Sequence, residues 1–189
     1  TRHLFLWEPT AQTMDFYERG LFNHILGSQD PQTGMMIYFA SLKPGHVKIY
    51  NTPEHSFWCC TGTGIENHAK YGDTIFSHDG DALYVNLFIA SELRWDEKGL
   101  LLRQETRFPE TDTTCLRLDL NRSRTLAFKI RYPAWATGIH ISINGEDFPI
   151  DVQPGTYIHL EREWHSGDQI VVRLPMQLRL ETLPHAPNR

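Results

Sequence analysis

The sequence predicts a mainly β protein whose N-terminal part is helical and whose remainder is an antiparallel β-sandwich. Three observations carry this. Apolar residues recur at helical spacing before about residue 80, they alternate with period two after it, and turn signals separate the alternating runs at short intervals. The implied domains are residues 1–79 and 80–189.

In the first part, Thr10 can cap a helix opened by Ala11. Met14, Tyr17, Leu21 and Ile25 form one stripe, widened by Phe22 and Leu26, and Gly27 suits the stop. Residues 28–58 carry the loop signals Asp30-Pro31, Thr33-Gly34, Pro44-Gly45 and Thr52-Pro53, around a short apolar run, Met35–Phe39, that suits a strand. A second helix is predicted from about Gly64 to Phe76. Beyond Asp79-Gly80, Leu83, Val85, Leu87 and Ile89 alternate with Tyr84, Asn86 and Phe88. Leu126, Phe128 and Ile130 form a second run, and Ile139, Ile141 and Ile143 a third, closed by the hairpin signal Asn144-Gly145. Further strands are predicted at Thr156–Leu160, Gln169–Leu174 and Met176–Glu181.

The bulk composition excludes several functions. The hydrophobic fraction is 40% and the aromatic fraction 12%, enough for a sizeable core. Lys and Arg number 18 against 23 Asp and Glu, a net charge of −5 with no basic block, which argues against nucleic acid. No apolar run approaches the roughly 18 residues of a membrane helix. The chain opens at Thr1 inside what reads as a structured element, so it is expected to be part of a longer protein. Three cysteines are too few for a disulfide framework. Cys115 alternates with Leu116, Leu118 and Leu120 and reads as a packing residue on the second strand face.

The chemistry concentrates in Ser56-Phe57-Trp58-Cys59-Cys60-Thr61-Gly62-Thr63-Gly64. Adjacent cysteines bridge each other poorly but can offer two thiolates to one metal, or one to a metal and one to a substrate. Just before a helix N-terminus they would meet unpaired N–H groups and the positive end of the dipole, which favours thiolate. A zinc site needs about four ligands, and Glu54, His55, Glu66 and His68 are the nearby candidates, at spacings that match no familiar finger or ribbon. Each reads equally as a loop or helix-surface residue. A thiolate nucleophile is the second possibility, although the local signatures of cysteine proteases are absent. Thr61-Gly62-Thr63-Gly64 lacks the pattern of a phosphate loop, so its glycines read as positions of close backbone approach.

These residues resemble a known family. The stretches Thr1–Phe5, Tyr17-Glu18-Arg19, Leu21–Leu26, Gly34-Met35, Tyr38-Phe39, Ser56–Gly64, Glu66–Asp73 and Leu83–Ile89, together with Pro133-Ala134-Trp135, Asn144-Gly145, Pro154-Gly155 and Leu174-Pro175-Met176, are similar to the β-L-arabinofuranosidases of glycoside hydrolase families 127 and 146. The resemblance implies the end of an (α/α)6 barrel followed by β-sandwich structure. It implies retaining hydrolysis of an arabinofuranose-containing glycan by a zinc-bound cysteine, with Cys59 as nucleophile and zinc ligand, Cys60 as zinc ligand and Tyr38 lining the sugar site. It also implies a bacterial enzyme, either cytoplasmic or secreted or periplasmic. The family's Glu-x-Cys zinc ligands and its acid/base glutamate belong upstream of the segment that begins at Thr1, and no Glu-x-Cys occurs in this chain. The chain is therefore expected to hold about half of a zinc site, to need the N-terminal barrel segment, and to be inactive by itself. Two other readings stand beside this one. The first is a non-catalytic carbohydrate-binding or interdomain module using Trp95, Trp135 or Trp164 as sugar platforms; the second is a redox or metal-sensing thiol pair.

Overall fold

The computed structural model describes residues 1–56 and 58–181. It is mostly β, with a few helices and two sheets. Two helices open the chain, α1 (Arg2–Trp7) and α2 (Ala11–Gly20). Thr10 caps α2 as predicted, its hydroxyl accepting from the Thr13 backbone N–H at 3.3 Å. The helical path then loosens into a π turn (Leu21–Ile25) and tightens into a 3-10 turn (Leu26–Ser28), and the predicted stripe buries Met14 and Leu21.

Residues 29–58 form no strand among those described. The expected strand at Met35–Phe39 is reduced to two isolated bridges, Gln29 with Met36 and Ile37 with Tyr50. Local bonds compete with any ladder here: the Asp30 carboxylate accepts from the Thr33 hydroxyl at 2.5 Å, and the Asp30 N–H donates to the Met35 carbonyl. Helix α3 spans Cys59–His68, five residues earlier at its start than predicted. A 3-10 turn (Tyr71–Thr74) follows it, so the predicted continuation to Phe76 fails. The two glycines read as helix breakers cost the helix only about 1 kcal/mol each, and packing requires one of them. A Cβ on Gly64 would lie 2.8 Å from Met36 Cε, so glycine there lets α3 close onto the preceding segment.

Ten strands follow: β1 (Phe76–Asp79), β2 (Ala82–Val85), β3 (Ser91–Trp95), β4 (Leu100–Thr106), β5 (Thr113–Leu120), β6 (Arg124–Tyr132), β7 (His140–Ile143), β8 (Glu146–Phe148), β9 (Thr156–Trp164) and β10 (Gln169–Arg173). One sheet has the order β1-β2-β6-β9, the other β3-β4-β5-β10-β7-β8. The pairing is not wholly antiparallel as predicted. β2 runs parallel to β6, from Ala82 beside Ala127 to Val85 beside Ile130. The connection between them passes through three strands of the other sheet, which supplies the long crossover that a parallel pair needs. Asn144-Gly145 turns β7 into β8 with φ of 54° and 86°, the doubly left-handed pair that a tight hairpin demands. Met176–Glu181, predicted as a strand, forms none.

The core draws on both sheets. Leu83, Val85, Phe128 and Ile130 come from one, and Leu102, Leu116, Leu118, Ile170 and Val172 from the other. Two of the three tryptophans considered as sugar platforms belong to this core. Trp164 is fully buried, its indole N–H donating to the Leu126 carbonyl at 3.0 Å, and Trp95 is 7% exposed. Trp135 is half-buried, stacked on Phe108 and donating to Glu18 at 2.7 Å. Cys115 is half-buried on its strand, where desolvation raises its thiol pKa and keeps it inert, in line with a packing role.

The second face of β2 and β6 is covered by the helices. Phe5 meets Tyr84 edge-to-face at 5.7 Å, with Met14 alongside. Arg131 on β6 is fully buried there. Its Nε–H donates to the Asn86 carbonyl at 2.6 Å, and its two terminal nitrogens pair with Asp15 and Glu18 of α2. Asp15 also accepts the Ala134 backbone N–H at 3.0 Å. Tyr157 donates to the Asn86 side chain at 2.6 Å, and burial pushes its phenol far above its ordinary pKa.

Removing one partner of a buried ion cluster leaves the others desolvated and uncompensated. Arg131→Ala is therefore expected to lower unfolding stability by about 3–5 kcal/mol, read as a lower urea midpoint. Arg124→Ala, at the half-exposed start of the same strand, should lose far less.

Candidate active site around Cys59

Cys59 and Cys60 are the first two residues of α3 rather than residues ahead of it, and both thiols are exposed. Trp58 holds the N-cap position without a side-chain cap bond. The Thr61 and Gly62 N–H groups already bond back to the Trp58 carbonyl, so the unpaired donors at this helix end belong to Cys59 and Cys60 themselves. Both thiols thus sit at the positive end of the helix dipole.

Tyr38 reaches this helix end from the preceding segment. Met36, buried against Gly64, holds that segment on α3, and two residues further on the Tyr38 hydroxyl stands 3.9 Å from Cys59 Sγ. The structure thus brings Tyr38, Cys59 and Cys60 together. The hydrogen bond from Tyr38 lowers the Cys59 pKa below that of an ordinary thiol, helped by the Cys60 thiol and its backbone N–H. Tyr38 responds in the opposite direction: the bond to Cys59 raises its phenol pKa.

The sulfur atoms of Cys59 and Cys60 are 4.0 Å apart. Two thiolates bound tetrahedrally to one zinc at about 2.3 Å each would be about 3.8 Å apart. The pair therefore fits as two of four ligands. The other candidates do not join it. His55 and Glu54 are strongly exposed and face each other at 3.8 Å. Glu66 is exposed, and His68 shares a 2.6 Å hydrogen bond with Tyr71. Among the described residues, no group of three or more His, Cys, Asp or Glu side chains is arranged to hold a metal ion.

Sequence reasoning missed the aromatic surround. Phe39 and Trp58 join Tyr38 and Cys59 around a concavity of about 340 Å³. Only the proximity of these aromatics to the motif could have pointed to them. A larger cavity of about 780 Å³ lies between α2, Phe108-Pro109 and residues 176–181, but it contains no cysteine and its Asp15–Glu18 pair is engaged by Arg131. No helix among the described residues is long and apolar enough to cross a membrane.

Two substitutions test this geometry on the metal-free chain. Tyr38→Phe removes the donor to Cys59, so the midpoint of Cys59 alkylation by iodoacetamide against pH should move upward, read by mass spectrometry of the Cys59 peptide. Gly64→Val should raise the same midpoint from a distance, because the added methyl groups push Met36, and with it Tyr38, away from α3.

Comparison with known proteins places this geometry. Residues 1–73 match the family model of the GH127 β-L-arabinofuranosidase catalytic domain, and residues 82–176 match that of the GH127 middle domain. A glycoside hydrolase of known structure is similar at a TM-score of 0.84 and 19% identity, over 98% of this chain and 32% of its own. Ara127N-Se, a GH127 β-L-arabinofuranosidase from Geobacillus stearothermophilus T6, is similar at a TM-score of 0.82 and 26% identity, over 97% of this chain and 31% of its own. The GH127 β-arabinofuranosidase BT3674 is similar at a TM-score of 0.78 and 24% identity, over 91% and 30%. The chain spans about a third of the length of these structures. No curated protein matches it significantly. On the strength of both family models, which together cover most of its residues, the chain belongs to the GH127 β-L-arabinofuranosidase family.

Proposed function

We propose that this chain is the part of a retaining glycoside hydrolase that carries its nucleophile, Cys59, and that the substrate is an arabinofuranose-containing glycan. Residues 1–79 would close an (α/α)6 barrel and residues 80–189 form the β-sandwich beside it. The observation that carries the reading is the asymmetry of the thiol pair: Tyr38 and the aromatic concavity reach Cys59, while Cys60 lies beside it at a spacing suited to a shared metal.

Cys59 Sγ, as thiolate, attacks the anomeric carbon, forming a C–S bond as the glycosidic C–O bond breaks. The departing oxygen takes a proton from a carboxylic acid, which the family resemblance puts upstream of Thr1. Water then adds to the same carbon, the C–S bond breaks, and the electron pair returns to sulfur. Tyr38 donates to the thiolate and keeps its charge directed into the concavity. Cys59 and Cys60 would supply two ligands to zinc, whose positive charge keeps the thiolates deprotonated at neutral pH. With half a ligand set and no acid, the chain is inactive until the upstream segment is present.

The binding-module reading is weaker, because Trp95 and Trp164 are committed to the core. In the full-length protein, Cys59→Ala should reduce hydrolysis of 4-nitrophenyl β-L-arabinofuranoside by about a thousandfold or more. Cys60→Ala should lower bound zinc as measured by atomic emission. Unchanged turnover in Cys59→Ala would rule out the nucleophile assignment.

A further inference from the structure

Three of the four residues around the Cys59 concavity are aromatic. Their rings meet nearly at right angles. Tyr38 and Trp58 lie 5.3 Å apart between centroids at 75°, and Tyr38 and Phe39 lie 4.5 Å apart at 78°. The result is a corner rather than a flat patch, with Trp58 52% and Phe39 79% exposed. Helix α3 would form without these rings, and neither Phe39 nor Trp58 belongs to any of the buried clusters.

The shape and chemistry of the corner restrict its occupant. A volume of about 340 Å³ is at the lower end for ligand pockets, suited to one small ring rather than a peptide. No Asp, Glu, Lys, Arg or His lines it, which favours a neutral ligand over a uronate or a phosphorylated sugar. A furanose carries its hydroxyls around the rim and presents C–H bonds on its ring face, and such C–H bonds pack on the electron-rich face of an aromatic ring.

We propose that Trp58 and Phe39 are specificity-determining residues that receive the C–H face of one neutral pentofuranose and hold its anomeric carbon beside Cys59 Sγ. The inference rests on the reading of Cys59 as nucleophile. Tyr38 is occupied by its contact with the thiol, so Trp58, the residue immediately before Cys59, is the principal wall. The rival occupant is polypeptide from elsewhere in the full-length protein.

The test uses the full-length protein with Cys59→Ala, so that methyl β-L-arabinofuranoside binds without turnover. Tryptophan emission and calorimetry are followed together. The glycoside should change the emission saturably, and the change should vanish on adding Trp58→Phe while calorimetry still reports binding. Trp58→Ala and Phe39→Ala should each weaken binding about tenfold. With Cys59 intact, Trp58→Ala should raise KM by a similar factor, and Trp58→Phe should restore most of it. The proposal is overturned if the emission change survives Trp58→Phe, if folded Trp58→Ala keeps its KM, or if the glycoside does not bind. A lower Tm in Trp58→Ala with unchanged glycoside affinity would instead identify polypeptide as the occupant. Undiminished turnover in Cys59→Ala alone would count against the nucleophile and leave the binding arms readable.

Discussion

Arg131 is the fixed point of this molecule. A fully buried guanidinium loses its hydration, and the structure replaces that hydration with the Asn86 carbonyl and two carboxylates from α2. Only an arginine has the geometry for this role, because its planar fork can meet several acceptors at once. Glu18 and Asp15 in turn hold Trp135 and the Ala134 backbone, so one cation joins α2, β6 and the loop after β6. Such a cluster contributes less to net stability than to register. Three segments distant in sequence must align before any of its charges is satisfied.

What that seam joins is unequal. Every large apolar side chain exposed among the described residues lies between Leu4 and Ile65 or between Met176 and Leu180. The strands between them expose none, so the two sheets complete their own core. The helical residues do not. They are held by Arg131 and by the Phe5–Met14–Tyr84 cluster, and they carry the Cys59 site. The site's precision therefore depends on local contacts. The approach of Met36 to Gly64 brings Tyr38 within reach of Cys59, and a single side chain at position 64 is enough to part them.

Much of this was legible in the sequence where the signal is local. The Thr10 cap, the Asn144-Gly145 turn and the alternation around Phe128 and Ile141 each follow from a few neighbouring residues. The parallel pairing of β2 with β6 did not, because alternation is the same whichever way a partner runs. β3 and β4 went unread partly because Gln104 occupies a core position, buried to satisfy the Leu87 and Ile89 carbonyls. Arg131 reads from sequence as the solvent face of a strand, and only the helices packed over that face make it internal. The Cys59-Cys60 motif announced reactive chemistry. Its true place in the first turn of α3 was hidden by Gly62 and Gly64, whose weak helix propensity is outweighed by packing.

Two adjacent thiols of the same type at one helix end would be expected to share one chemistry. What separates them is geometry imposed from outside the helix. At the start of α3 successive side chains diverge by about 100° around the axis, so a surface that approaches from one direction can engage only one of them closely. The segment carrying Tyr38, Phe39 and Trp58 approaches on the side of Cys59. Cys59 thereby acquires a hydrogen-bond donor, a depressed pKa and an aromatic corner beside it, while Cys60 remains within 4.0 Å of its sulfur. The division of labour between the two cysteines thus follows from the fold of residues 36–58, not from any difference in the residues themselves.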